Sequence, residues 1–292
     1  RKKLDLHVPP DLFPIIQAFS SANEELYIVG GAVRDTLLGK IPKDYDLSTG
    51  ADPAKVIKIV SQDPTSRVDL TGKDFGVVRV KTKNNEEFEI VTWRTDNSAG
   101  RRPDSVTFTT IENDVKRRDL TINALFYNLA THEVVDYVGG IADLENGVIR
   151  AVGDPALRFQ EDKLRILRAV RFAARMGSDL DPKTAAAIRA DNDLAGVSPE
   201  RTRDEFAKGL RSAKSVEHFL TLITDLDLWP QIFPGLSIDE AAPASRNFDV
   251  QVALLTMGNG PKAVSKVLHQ LKYTRDEIDT VKFFHDFLSI TP

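Results

Sequence analysis

The chain has 292 residues, 41% of them hydrophobic and 28% charged, with no cysteine and a formal net charge of −4. Without cysteine, disulfides, zinc–thiolate centres and thiol catalysis are excluded, and a cytoplasmic setting is expected. The acidic balance argues against indiscriminate nucleic-acid binding, so a nucleic-acid partner requires a local basic face.

The length exceeds what one hydrophobic core organises, which predicts two or three domains. No apolar run approaches a membrane span, no signal peptide is visible, and an opening Arg1 leads us to expect a missing N-terminal fragment. Residues 1–25 read as an approach helix. Pro9-Pro10 punctuate its start, and Leu12, Ile15, Ile16 and Phe19 recur at helical spacing. Leu26–Val29 predicts a short strand feeding the run Gly30–Thr49, GGAVRDTLLGKIPKDYDLST.

That run carries the chemistry. Gly30-Gly31 can take backbone conformations closed to other residues, bringing main-chain N–H groups to a polyphosphate, and Arg34 adds a charged fork. A short helix is predicted at Asp35–Leu38 and a strand at Asp44–Leu47. In an extended strand Asp44 and Asp46 project from one face and repel unless a cation lies between them. Mg²⁺ takes oxygen ligands from one or two carboxylates plus substrate phosphates, so the pair reads as a metal site of a phosphate enzyme. Alone, an Asp-x-Asp pair is more often a surface pair after a Gly-rich turn; the surrounding run points to a nucleoside triphosphate.

Asp52-Pro53 opens a helix with Val56, Ile57 and Val60 as its buried stripe. Phe75–Val80 and Phe88–Arg94 predict strands joined by a polar turn at Lys83–Glu86. Glu89 is an acid inside an apolar strand, on the face of Val91 and Trp93: an edge charge, or a third metal carboxylate. Thr95–Ser105 is expected to be a mobile loop. Arg117–Asn128 has helical spacing at Leu120, Ala124 and Leu125, and its polar members Arg118, Asp119 and Asn123 suit a ribose and phosphates. Glu133–Val138 predicts a strand and Gly139-Gly140 a turn, closing a first domain near residue 150.

From Asp154 the sequence is helical. Arg158–Met176 reads as one helix with Arg165, Arg168, Arg171 and Arg175 on one face and Leu164, Leu167, Val170 and Ala174 as the apolar stripe. Four arginines without an interleaved acid favour a bound polyanion. Asp162 and Arg165, at i and i+3, form either a helix salt bridge or a hydrogen-bonding edge for a base. Ser198-Pro199 opens another helix, and further helical segments run through Val216–Leu226, Phe248–Met257, Lys262–Leu271 and Asp276–Phe287. His285-Asp286 lacks the partners a metal hydrolase needs.

In order, Gly30-Gly31…Arg34-Asp35…Asp44-x-Asp46, Arg117-Arg118-Asp119-Leu120-Thr121-Ile122-Asn123-Ala124, Asp136…Gly139-Gly140…Asp143-Leu144 and Glu161-Asp162-x-x-Arg165 resemble the class II CCA-adding tRNA nucleotidyltransferases and bacterial poly(A) polymerases. The resemblance spans roughly residues 26–211. It implies an α+β fold: a polymerase-β-like nucleotidyltransferase palm over 1–150, a helical, nucleobase-selecting neck over 151–211, and a helical, RNA-binding body over 212–292. It implies that Asp44, Asp46 and Glu89 hold catalytic Mg²⁺. Gly31, Arg34, Arg118, Arg168 and Arg171 match positions that bind the nucleotide, and Asp162 and Arg165 match the pair that reads the base. The implied partners are the tRNA 3′ end, CTP and ATP.

Two departures shape the expectation. The chain ends at Pro292, from which a short or absent C-terminal tail is expected, and the loop Thr95–Gly100 is short for the family. CC-only addition, A-only addition and poly(A) synthesis therefore stand beside full CCA addition. A catalytically silent RNA-binding protein is opposed by the intact acid pair. A protein or antibiotic nucleotidyltransferase leaves the basic helix after residue 158 unexplained.

Overall fold

A computed structural model describes residues 1–97, 105–245 and 247–290. It divides into two compact units, one of Arg1–Asn146 with Ala151–Asp154, the other of Gly147–Arg150 with Pro155–Pro292.

The first unit contains strands β1 (Lys2–Lys3), β2 (Tyr27–Val29), β3 (Asp46–Thr49), β4 (Arg67–Asp69), β5 (Val77–Lys81), β6 (Glu87–Thr92), β7 (Arg94–Asp96), β8 (Val106–Phe108), β9 (Phe126–Asn128) and β10 (Glu133–Val135). Its helices are α1 (Phe13–Ser21), α2 (Gly31–Leu37), α3 (Pro53–Val60), α4 (Ile111–Lys116) and α5 (Gly140–Glu145). Eight strands form one sheet in the order β1-β10-β9-β2-β3-β6-β5-β4, and β7 and β8 form a separate hairpin. All neighbours in the large sheet are antiparallel except β3 and β6, which run parallel with Leu47 beside Ile90.

The period of two sorts the strands onto two faces. On one, Ile28, Leu47, Val78, Val80 and Ile90 are buried with Phe19 of α1 and Val56 and Ile59 of α3. On the other, Tyr27, Val29, Phe126 and Val135 pack with Ile111 and Val115 of α4. The predicted helix after Asp52 forms as read: the Asp52 carboxylate accepts from the Lys55 N–H and Pro53 occupies the first turn.

Several boundaries differ from expectation. Residues 1–25 are not one helix: β1 and a 3-10 turn at Pro10–Leu12 precede α1. The helix expected at Asp35–Leu38 begins at Gly31, because Gly30 (φ 69°, ψ −120°) makes the sharp turn out of β2. The strand expected at Asp44 begins at Asp46, since the Asp46 level is where pairing with Val29 starts. The helical spacing in Arg117–Asn128 misleads: Leu120 bridges to Ala151, Thr121–Asn123 is a 3-10 turn, and Phe126–Asn128 is a central strand. Leu120, Ala124 and Leu125 are all buried by tertiary packing, and their spacing does not carry a helix.

The second unit holds a two-stranded parallel ribbon, β11 (Val148–Ile149) with β12 (Asp179–Leu180), and nine α-helices among the described residues. They are α6 (Pro155–Glu161), α7 (Leu164–Met176), α8 (Pro182–Ala190), α9 (Pro199–Ser212), α10 (Val216–Asp225), α11 (Trp229–Ile232), α12 (Phe248–Leu255), α13 (Pro261–Gln270) and α14 (Arg275–Ile290). Phe206 of α9 centres an aromatic core with Phe219, Trp229, Phe233 and Phe248. The run expected as one helix is broken at Asp162-Lys163, where the Asp162 carboxylate accepts from the Leu164 N–H at the start of α7. His285 is buried against the Thr256 hydroxyl, which accounts for it structurally.

Candidate active site

The site is organised by strand register. One step before Leu47 and Ile90, the parallel pairing of β3 and β6 sets Asp46 level with Glu89. Antiparallel pairing sets Asp46 opposite Val29, Val29 opposite Phe126, and Arg79 opposite Glu89. Directly paired residues share a face, so Phe126, Val29, Asp46, Glu89 and Arg79 form one row across five strands. Asp44 lies before β3, outside the ladder. The same-face argument for Asp44 and Asp46 thus gives way to a cross-strand one, in which Asp46 and Glu89 are the neighbours.

Asp44, Asp46 and Glu89 line one cavity of about 580 Å³, with His7, Asp11, Tyr45, Glu86 and Glu87 around it. Asp46 keeps solvent access, yet its carboxyl is pushed above the usual carboxylate range, first by burial of the group and then by the Glu89 charge; Arg118 opposes the shift and Asp44 adds to it. Neither Asp44 nor Asp46 has a hydrogen-bond donor or salt-bridge partner among the described residues. Glu89 does: it accepts from the Arg79 Nε at 2.6 Å. Among the described residues no three acidic or imidazole side chains converge as a ready metal cage. The donor set still suits a hard cation, because two unpartnered carboxylates beside a third accumulate negative charge that Mg²⁺ relieves with help from phosphate oxygens.

One strand away, β2 delivers the glycine turn. The Gly30 N–H donates to the Leu125 carbonyl, and Gly31 opens α2. Arg34 is almost fully buried, donating to Asp35 Oδ1 at 2.9 and 2.7 Å and to Asn123 Oδ1 at 2.6 Å. Asn123 in turn donates to Asp119 Oδ1 at 3.5 Å. Arg118 lies over the Phe126 ring, 4.6 Å from its centroid, and is ion-paired to the buried Asp114 at 3.1 Å. Desolvation draws its guanidinium below its usual range, and Asp114 opposes this. The predicted residues Gly30, Gly31, Arg34, Arg118, Asp119 and Asn123 therefore gather around the end of β2, on the side of the sheet where the acids stand.

The motif Asp136…Gly139-Gly140…Asp143 turns out to be a buttress. The Asp136 carboxylate accepts four backbone N–H groups, from Val138, Gly139, Gly140 and Ile141. Asp143 accepts from the Thr121 hydroxyl at 2.6 Å, fixing the turn that carries Asn123.

In the second unit Asp162 and Arg165 do not pair with each other. Arg201 Nη2 donates to Asp162 at 2.8 Å, whereas Arg165 is held by Glu161 at 2.6 Å and by the Arg158 carbonyl. The arginine face of α7 is likewise not uniform. Arg171 is buried, ion-paired to Glu205 of α9 at 2.6 Å, and set over Phe172; burial draws it below its usual range while Glu205 opposes. Arg168 lies over the same ring at 5.7 Å. Sequence reasoning missed Arg79, Asp114 and Arg201. Arg79 left a signal: it and Glu89 are the charged intruders in two apolar strands, equidistant from the turn at Asn84. The expected loop at Thr95–Gly100, with Arg101-Arg102-Pro103, falls largely outside the described residues.

Residues 26–150 match the model of the poly(A) polymerase head domain, and residues 177–239 that of the probable RNA- and SrmB-binding site of polymerase A. The CCA-adding enzyme of Lactobacillus helveticus is 42% identical, over 96% of this chain and 73% of its own. Poly(A) polymerase I of Salmonella typhi is 37% identical, over 76% of this chain and 50% of its own. The crystal structure of the Bacillus stearothermophilus CCA-adding enzyme in complex with CTP superposes with a TM-score of 0.78 at 30% identity, covering 98% of this chain and 72% of that one. The chain spans between half and three quarters of the length of the curated relatives named here. With the acid row, the glycine turn and the buried arginines in this arrangement, these likenesses settle descent: the chain belongs to the family of CCA-adding enzymes and bacterial poly(A) polymerases, whose members are metal-dependent nucleotidyltransferases.

Proposed function

We propose that the protein is a template-independent tRNA nucleotidyltransferase that adds CCA to tRNA 3′ ends from CTP and ATP, releasing pyrophosphate, in the cytoplasm where tRNA is processed. The observation that carries this is the row placing Asp46 beside Glu89, in one cavity with Asp44. Phosphoryl transfer needs in-line placement and charge neutralisation more than covalent chemistry, and such a cavity supplies the means for both. Asp44, Asp46 and Glu89 would hold Mg²⁺, which when bound lowers the pKa of the RNA 3′-hydroxyl and neutralises the triphosphate.

The chain's own residues do the rest. Gly30 makes the turn that presents the Gly31 N–H, which with Arg34, Arg118, Asp119 and Asn123 orients the phosphates and ribose of the incoming nucleotide. Arg34 and Arg118 are already fixed by Asn123 and Asp114, so little freedom is lost when phosphate arrives. Beyond the head we divide the chain into a neck over 151–211, whose Ala151–Asp154 belong to the first unit, and a body over 212–292; Asp162 of the neck reads the base. Its carboxylate uses one oxygen on Leu164 N–H and one on Arg201, and keeps lone pairs for the amino group of C or A. U and G present a carbonyl there, which is repulsive. Arg165 donates to the ring edge, and Arg168 and Arg171 contribute positive charge.

The similarity to poly(A) polymerase I favours poly(A) synthesis as the second reading. The test offers tRNAs ending before the first C, after one C and after two, with labelled CTP and ATP. Products stopping at CCA support the proposal; long A tracts support the second reading; no incorporation at all refutes both. Asp44→Ala is expected to lower incorporation at least a thousandfold without unfolding the protein.

A further inference from the structure

We propose that Arg79 is a positioning residue that occupies Glu89 in the metal-free site and competes with the divalent cation for that carboxylate. The inference rests on the active-site reading above and names a residue of the site which that reading does not use.

Three observations converge. First, contact is forced by the fold: Arg79 stands directly opposite Glu89 in the antiparallel β5–β6 pair, and Glu89 stands level with Asp46 in the parallel β6–β3 pair. The order across the sheet is cation, acid, acid. Second, the contact is made and is short, Arg79 Nε to Glu89 Oε1 at 2.6 Å, so one oxygen of the third carboxylate is taken. Asp44 and Asp46 carry no such partner. Third, Arg79 has other acids to turn to. Asp69 lies at 3.9 Å and Glu87 at 4.0 Å, so its charge stays balanced when Glu89 turns toward a cation.

The physical consequence has a definite sign. With Arg79 in place, Glu89 repels Asp46 less and the empty site tolerates its carboxylates. Without Arg79, the acids face one another unscreened, and a divalent cation relieves more repulsion on binding. Arg79 thus weakens metal affinity by holding Glu89 toward β5, away from Asp46.

The test is equilibrium Mn²⁺ binding without nucleotide, read from the free-Mn²⁺ electron paramagnetic resonance signal, at one ionic strength. Wild type is compared with Arg79→Gln, Arg79→Lys, Lys81→Gln, Glu89→Gln, Arg79→Gln/Glu89→Gln and Asp46→Ala, each checked for fold by circular dichroism. Arg79→Gln is expected to bind Mn²⁺ three- to tenfold more tightly and Arg79→Lys within twofold of wild type. Lys81→Gln, which removes a charge two residues along the same strand, should stay within twofold, and the double variant should match Glu89→Gln. Unchanged or weaker binding in Arg79→Gln overturns the inference, as does equal tightening in Lys81→Gln, provided Asp46→Ala loses Mn²⁺. If Asp46→Ala binds like wild type, the active-site reading itself falls and takes this inference with it.

Discussion

Replacing Arg171 by Met tests whether the arginine face of α7 is built for a ligand or for the fold. Arg171 is ion-paired to Glu205 at 2.6 Å, and Glu205 is only 5% exposed. Methionine keeps the apolar contact with Phe172 and leaves a buried carboxylate without its partner. Breaking a buried pair from one side costs about 3–5 kcal/mol. Protonation caps that cost. An ordinary glutamate titrates near about 4.3, so neutralising it at pH 7 costs roughly 2.7 × 1.36, or about 3.7 kcal/mol. Lys208, whose Nζ lies 3.6 Å from Glu205, lowers the figure further. The expected loss at pH 7 is therefore about 2–4 kcal/mol, a fall in Tm on the order of 10 °C. At pH 5 the same protonation costs only about 1 kcal/mol, so the deficit shrinks on acidification. Arg171→Met/Glu205→Leu should recover most of the stability, because no buried charge is left alone. Thermal unfolding by circular dichroism at the two pH values decides it. A deficit independent of pH, or a double variant no better than the single one, refutes the structural role. A stable double variant with a raised KM for nucleotide assigns Arg171 a second task in binding.

Other perturbations separate further causes. Asp46→Asn should stabilise the protein in chelator at neutral pH. A carboxyl whose folded pKa is raised binds its proton more readily when folded, so stability falls as pH rises through that window. Across the window Tm should fall less in the variant, and above it Tm should be higher; a lower Tm there would contradict the crowding of acids. Gly139→Ala and Gly140→Ala should destabilise for different reasons. Gly139 has φ +80° with open space around it, so alanine costs about 1–2 kcal/mol. At Gly140 a Cβ would stand 2.1 Å from the Thr121 carbonyl oxygen, a clash at the upper end of about 1–3 kcal/mol that also moves the Asn123 turn. Only Gly140→Ala should raise KM for CTP, and equal kinetics in the two variants would refute the buttress. Arg201→Leu should release Asp162 and raise UTP misincorporation on the order of tenfold, or about 1.4 kcal/mol; unchanged base selection would show that Asp162 needs no such support.

What could be read from the chain depended on how far apart the cooperating residues lie. The turn at Gly30-Gly31, the cap at Asp52 and the carboxylates at 44 and 46 are local patterns; the structure forms the turn and the cap and sets both carboxylates on one cavity. The reason given for the acid pair did not survive, because Asp44 lies before the strand and Asp46 takes its neighbour from β6. A parallel register between residues more than forty apart leaves no periodicity to detect. The antiparallel partner Arg79 was visible, since a hairpin reflects the sequence about its turn and sets intruding charges at equal distances face to face. On α7 the spacing of the helix already marks Arg171 as different from the other arginines. At about 100° per residue Arg171 falls within the stripe, between Leu164 and Leu167, and an arginine buried there needs a partner. Glu205, on a different helix, is that partner. Spacing within one element thus reports which face a charge occupies, and only the packing between elements decides whether that charge serves the fold or a ligand.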